Sequence, residues 1–545
     1  MGLLFAYVYK LYIFPVGLDF SIPGRYTGKS EVNRMNRKHN RIQSSIPRLI
    51  FVGISLLIQL GWLLVLILRL NEYSALISLI TGLLALLVVL RLYSGPANAA
   101  MKLPWIMLIL TMPVMGLSLY LLMEVFGDLG STGKKLKASR DNCRRALTQE
   151  EAVSQALSRQ DPAVANISRY LLEHCEAPAF GNTQVRYFDY GAHGLEAMKE
   201  DLEKAESFVF MEYFIVAQGT AFEELKDILI RKARQGVEVR LMYDDIGSVG
   251  YVNLLFAKEL NDAGIRCQVF NPALPILNLF MNHRDHRKIT VIDGKVGYTG
   301  GYNLSDEYFG REFPFGQWKD TGIRMEGDAV RSLTAAYLEL WSIMSRKEEN
   351  TKAYLSVCHR VEARGFVQPY FDDPLGKERV AENVYLNLCA CARKSLYFFT
   401  PYLIITDELR SALTLASKRG VDVRIITPGI PDKKTVYAVT RSYYAGLASE
   451  GVRIYEWSPG FCHAKQCICD GVVASIGTSN LDFRSLYHHF ENNVLLWECP
   501  AVEQIARDFE ETFPQCREVT EHYRTGRAAM LRIWQCILRL FSPLL

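Results

Sequence analysis

The 545-residue chain has no strong excess of either charge: 62 Lys and Arg stand against 58 Asp and Glu, a formal net charge of +4. Such a balance offers no electrostatic footprint for nucleic acid. Paired cysteine spacing is missing too. The 12 cysteines are scattered, several in segments that read as strands. This argues against a secreted disulfide scaffold and suits a reducing compartment. The opening MGLLFAYVYKLYIFP has no basic start and no small-residue cleavage site before Pro15, so it does not read as a cleaved signal. Ala6 stands where a myristoylation motif needs a hydroxyl.

Charge is also absent from the whole of Leu49–Leu68, twenty residues, and from Ser74–Leu90, seventeen. At about 1.5 Å per residue the first can cross a hydrocarbon core and the second is just long enough. A third apolar stretch, Leu103–Met123, contains Pro104 and Pro113, which permit a kinked or re-entrant segment. These runs predict transmembrane helices over 49–126, behind a basic membrane-proximal segment, 1–48. Between residues 24 and 48, Arg25, Lys29, Arg34, Arg37, Lys38, Arg41 and Arg48 face a single acid, Glu31, and basic flanks stay cytoplasmic. Lys134, Lys135, Lys137, Arg140, Arg144 and Arg145 make the same claim after the third stretch, so three full spans cannot satisfy both clusters. The expectation is a multi-pass protein of the cell membrane with a cytoplasmic catalytic region. At the other end, residues 526–545 place Met530, Leu531, Trp534, Ile537, Leu538 and Phe541 on one helical face, an amphipathic helix suited to a headgroup plane.

What is present between these ends is a repeat. GVEVRLMYDDIG (236–247) is echoed by GVDVRIITPGIPD (420–432), and LNDAGIRCQVFNP (260–272) by LASEGVRIYEWSPG (447–460). The order is kept at long separation, which marks a duplicated domain rather than a solenoid. Each half alternates strands with amphipathic helices: Phe208–Ile215 and Val237–Tyr243 read as strands, Ala221–Gln235 and Leu254–Ala263 as helices. The fold class is therefore α/β. The halves fall at 181–350 and 351–525, after a linker at 127–180.

The chemistry is repeated as well. DHRKITVIDG gives His286, Lys288 and Asp293; CHAKQCICDG gives His463, Lys465 and Asp470, each member 177 residues after its counterpart. Small-residue turns, GGYN and GTSN, then bring Asn303 and Asn480 into the same register. Residues i and i+2 of a strand share a face, so each half aims one imidazole and one ammonium the same way. Two lysines, two histidines and two amides converging by approximate two-fold symmetry would hold a tetrahedral phosphate and the extra charge of its transition state. Asp293 and Asp470 close their motifs before Gly294 and Gly471, where Asp also suits a turn. Each imidazole needs a carboxylate on its other nitrogen. Asp320, 34 residues after His286, and Glu491, 28 after His463, are the candidates, paired in that order. No metal is expected: Cys462, Cys467 and Cys469 surround a lysine, and the first copy has no thiol.

These motifs resemble the phospholipase D superfamily, and within it bacterial cardiolipin synthases, over about residues 49–545. NHRDHRKITVIDGKVGYTGGYNLSDEY (282–308), WKDTG (318–322), TRSYY (440–444), SLYHHFE (485–491) and LRLFSPLL (538–545) carry the likeness, as does the order of membrane segments and duplicated catalytic part. The chain departs at Asn492 and Asn493, where the family has a small residue and a glycine. The resemblance implies two α/β/α halves with pseudo-two-fold symmetry. It implies no cofactor, and phosphatidylglycerol, cardiolipin and the bilayer as partners. It further implies transfer of a phosphatidyl group through phosphatidyl-histidine, with His286 as nucleophile and His463 as general acid and base; the residues alone leave the reverse open. A hydrolase of phospholipase D type is the alternative.

Overall fold

The computed structural model describes residues 46–71, 75–95, 97–127, 130–273, 282–345, 349–525 and 538–540. Residues 1–45 of the expected basic segment and most of the C-terminal helix lie outside them. At 538–540 the chain is helical, and Arg539 Nε donates to Ser442 Oγ at 3.1 Å.

Two apolar helices come first, Ile46–Asn71 and Ala75–Ser94, with Leu57, Trp62, Leu83 and Leu87 turned outward and exposed. Among the described residues no helix is long and apolar enough to cross a membrane. The third apolar stretch is two helices, Ala99–Thr111 and Pro113–Gly127. Met112, restricted by the proline after it, leaves the helical region at φ −135° and ψ 72°. The pair then closes tightly: a Cβ on Gly116 would lie 2.6 Å from Ile109 Cα.

The helices Gly130–Arg144, Glu151–Gln160 and Pro162–Cys175 pack on both catalytic halves. Arg144 Nε donates to Glu339 Oε1 of the first half at 2.7 Å, while Ile167 and Leu171 enter a core with Val384 and Leu388 of the second.

Each half is a mixed sheet in the same order. The first runs Thr183–Phe188, Gly322–Gly327, Val296–Gly300, Lys288–Ile292, Phe208–Tyr213, Glu238–Asp244, Arg266–Phe270. The second runs Phe366–Asp372, His489–Trp497, Val473–Gly477, Gln466–Cys469, Ser395–Phe399, Asp422–Pro428, Arg453–Trp457, with Cys516–Glu518 added at its edge. In both, the aromatic and β-branched central strand has a parallel neighbour on one side and the antiparallel His-Lys strand on the other. The sequence spacing already separates these two kinds of partner: an amphipathic helix, such as Thr220–Arg234, makes the parallel crossover. Buried residues of the helix Val330–Ser345 and of both sheets share one central core, including Phe210, Ile289, Phe399 and Leu496.

Candidate active site

Two short ladders join the halves. Arg284–Asp285 pairs in parallel with His489 and Phe490, and His286 N donates to Phe490 O at 3.0 Å. Symmetrically, Gln317–Lys319 pairs in parallel with Gly460–Cys462, and His463 N donates to Lys319 O at 2.7 Å. The residue that follows each ladder on one strand therefore meets the residue that follows it on the other. His286 Nδ1 sits 2.9 Å from both oxygens of Glu491, and His463 Nδ1 lies 2.6 Å from Asp320 Oδ2.

This corrects the pairing expected from chain order. Asp320 and Glu491 each lie against an imidazole, but it is the histidine of the other half. With Nδ1 held at a carboxylate, Nε2 is left as the reactive nitrogen on both rings. Both histidines are buried, as are Lys288 and Lys465. Lys288 Nζ donates to His286 O at 2.6 Å; Lys465 Nζ donates to His463 O and lies 2.8 Å from His463 Nδ1.

The two clusters form one electrostatic unit. Burial chiefly, then the Lys288 charge, holds His286 well below the usual imidazole range, and the charges of Lys465 and His463 reach it as well. Burial, then Lys465, does the same for His463, with Lys288 adding to the effect. Burial pulls Lys288 down to about 7 and Lys465 to about 8, against the pull of Glu491 and Asp320 respectively. It pushes Asp320 up to about 7 and Glu491 well above the carboxylate range. Every charge in the pocket is thus costly until an anion enters, and a phosphodiester restores both ammonium groups.

The other expected residues behave differently. Asp293 and Asp470 stand at the far ends of their strands, both at φ 53°, and are not part of the reacting pocket. Asp293 accepts from the backbone N–H groups of Glu206, Ser207 and Phe208 at 2.7–2.9 Å; Asp470 does the same for Arg393, Lys394 and Ser395. They brace the turn, as residues of that type do. The amides of Asn303 and Asn480 are engaged within the protein: Asn303 Nδ2 donates to Tyr308 OH at 2.9 Å, and Asn480 Nδ2 to Asp482 Oδ2 at 3.1 Å. Cys467 and Cys469 are buried in the core of the second half and Cys462 in the central core.

Some participants escaped the sequence reading. Gly301 leaves space for Asp320, whose Oδ1 would lie 2.0 Å from a Cβ placed there. In the other copy the same position is Thr478, and its hydroxyl donates to Glu491 Oε2 at 2.5 Å. Asn492 links the halves: its Oδ1 accepts from Lys288 N at 3.2 Å and its Nδ2 donates to Thr299 Oγ1 at 2.6 Å. The repeat of GGYN against GTSN was a legible signal for the first pair; nothing local marked Asn492 as bridging. His286, His489 and Glu491 each offer a ligand atom within 4.8 Å of the others. The carboxylate is already bonded to His286 Nδ1, and the Lys288 charge acts on all three, which makes the pocket an anion site in preference to a cation site.

Comparison with known proteins shows the family. A family profile described as "Cardiolipin synthase, PLD-like domain" matches residues 198–316 and 385–513. Cardiolipin synthase 2 of Bacillus anthracis is 36% identical over 455 residues, which cover 81% of this chain and 86% of that protein. The chain belongs to the cardiolipin synthase family. An uncharacterized protein of Streptococcus mutans is 38% identical over 457 residues, covering 84% of this chain and 99% of its own length. Among solved structures, a phosphatidylserine synthase from Haemophilus influenzae aligns with TM-score 0.53 over 70% of this chain and 97% of its own, at 15% identity, a likeness of fold. For a member of the cardiolipin synthase family, the crossed carboxylates mean that each pocket needs both halves: neither imidazole is complete without the other half.

Proposed function

We propose that this protein is a cardiolipin synthase, a phosphatidyltransferase that joins two phosphatidylglycerol molecules and releases glycerol. The observation that carries the reading is the pair of buried imidazoles, each held at Nδ1 by a carboxylate and flanked by a lysine. His286 Nε2 attacks phosphorus. The P–O bond to the headgroup glycerol breaks, and His463, in the imidazolium form that Asp320 and the entering phosphate anion stabilise, gives its Nε2 proton to the leaving oxygen. A primary hydroxyl of a second phosphatidylglycerol then loses its proton to His463. Its oxygen attacks phosphorus, the P–N bond breaks, and cardiolipin leaves with His286 restored. Lys288 and Lys465 stabilise the charge on the non-bridging oxygens in both steps.

The exposed apolar helices Ile46–Asn71 and Ala75–Ser94 support a membrane-embedded N-terminal region, with the basic residues of 24–48 on the cytoplasmic side. The domain division at 181–350 and 351–525 belongs to the same proposal.

The purified protein in detergent, given phosphatidylglycerol labelled in its headgroup glycerol, is expected to form cardiolipin with one free glycerol for each, with EDTA present or absent. His286→Ala and His463→Ala are each expected to abolish the product. Phosphatidic acid as the only lipid product would replace transfer with hydrolysis.

A further inference from the structure

One feature of the pocket has no use in the mechanism above. Trp318 and His489 each stand two residues before an orienting carboxylate, in WKD and HFE, so each shares its strand face with that carboxylate. The His489 ring centroid lies 5.3 Å from that of His286, and the Trp318 ring 5.7 Å from that of His463. Both side chains are more than nine-tenths buried, His489 at 6% exposure and Trp318 at 9%. Among the described residues neither makes a side-chain hydrogen bond. Trp318 Nε1 and both ring nitrogens of His489 are buried without a hydrogen bond; the nearest acid to His489 is Glu491 Oε1, 3.5 Å from Nδ1.

Other buried polar atoms, such as Trp341 Nε1 and Tyr337 OH, are also unmet, but these two side chains stand at equivalent places, one beside each reacting imidazole. The lysines already address the non-bridging oxygens of a phosphate between the rings. The next polar atoms outward, on either side of phosphorus, are glycerol oxygens. An indole can only donate, whereas a neutral imidazole donates from one nitrogen and accepts at the other. We propose that Trp318 and His489 are substrate-binding residues that hydrogen-bond the two glycerol units flanking the reacting phosphate. Trp318 donates to an oxygen of the headgroup glycerol beside His463, and His489 bonds the glycerol that carries the acyl chains, beside His286. Both the two glycerol units and the assignment of sides rest on the substrate and mechanism proposed above.

The test is binding to the full-length protein in detergent, by calorimetry, of two soluble diesters: glycerophosphoglycerol, which has glycerol on both sides, and dimethyl phosphate, which has none. The protein is expected to prefer glycerophosphoglycerol. His489→Phe and Trp318→Phe are each expected to cut that preference roughly tenfold, the scale of one lost hydrogen bond. His489→Gln, which keeps a donor and an acceptor, is expected to recover part of it. Equal weakening of both ligands would mean that the rings only prop the catalytic histidines, and would overturn the proposal. So would an unchanged preference, or no preference in the parent protein. Product analysis is separate: a protein that makes no cardiolipin yet shows the ratio change loses the transferase reading and keeps this one.

Discussion

At the scale of single residues the site is a set of charges that burial opposes. Lys288 and Lys465 are drawn down to about 7 and about 8 by desolvation. The sign for activity follows. Below those values both side chains are ammonium groups that attract a phosphodiester; as pH rises through 7 to 8 the charge is lost and the anion with it. We expect kcat/KM for phosphatidylglycerol to fall on an alkaline limb beginning between about pH 7 and 8, well under the usual lysine range near 10.4. Lys288→Arg, which keeps its charge at any such pH, is expected to move the limb upward even as the maximum rate drops, because a planar guanidinium does not reproduce a point charge. A pH–rate series on the two proteins checks this. A limb that stays in place in the variant and in Lys465→Arg would assign it to another group. The same pair of residues shows what was legible from type and spacing. His-x-Lys read as a strand put ring and ammonium on one face; the strands begin only at Lys288 and Gln466, after the histidines, yet Lys465 Nζ lies 2.8 Å from the His463 ring. Asn303 and Asn480 had the right register but no way of announcing the local partners, Tyr308 and Asp482, that take up their amides.

At the scale of elements, the decisive feature is a pair of two- or three-residue parallel ladders between halves. Alternation and aromatic content made the long strands readable, and Phe208–Tyr213 and Glu238–Asp244 lie close to where the pattern put them. Ladders this short have no period to detect, and they depend on partners more than 140 residues away, so chain order suggested the wrong carboxylate for each histidine. The crossed pairing has a direct energetic consequence. Side chains in contact couple, and those without shared partners do not. In double-mutant cycles read by denaturation in detergent, His286→Asn with Glu491→Gln, and His463→Asn with Asp320→Asn, are expected to show interaction energies of about 1 kcal/mol or more. The same-half combinations, His286 with Asp320 and His463 with Glu491, are linked only through the lysine charges they share and are expected to couple more weakly than the crossed pairs. The reverse pattern would mean that the ladders do not form as described. Asp293 and Asp470 fit the same lesson from the other side: their identical φ and identical triple of backbone partners come from the repeat, so one copy predicts the other.

For the whole molecule, the question is whether the crossing is made within a chain or between chains. A reciprocal exchange of halves would satisfy the same ladders, since every cross-half contact would simply be made with a neighbour. The remaining packing argues for one chain. The central core mixes Val330, Tyr337 and Trp341 with Phe399, Ile476 and Leu496 from the other sheet, all buried. The helical segment before the halves clasps both: Arg144 bonds Glu339 in the first half and Cys175 O at the end of the helix that packs on the second. Arg140 and Asp373 form a further ion pair across the same junction. Exchanging halves would require opening this core and releasing these buried charges before they could re-form with a neighbour, a barrier set by the whole interface and not by the reacting centre. The expected outcome is that His286→Ala and His463→Ala proteins, carrying different tags, co-expressed and purified together, form no cardiolipin, since each chain holds only one intact imidazole in its own pocket. Recovery of about a quarter or more of the parent activity in the doubly purified sample would instead show pockets assembled from two chains, and the clasp of Arg140 and Arg144 would then have to be a hinge.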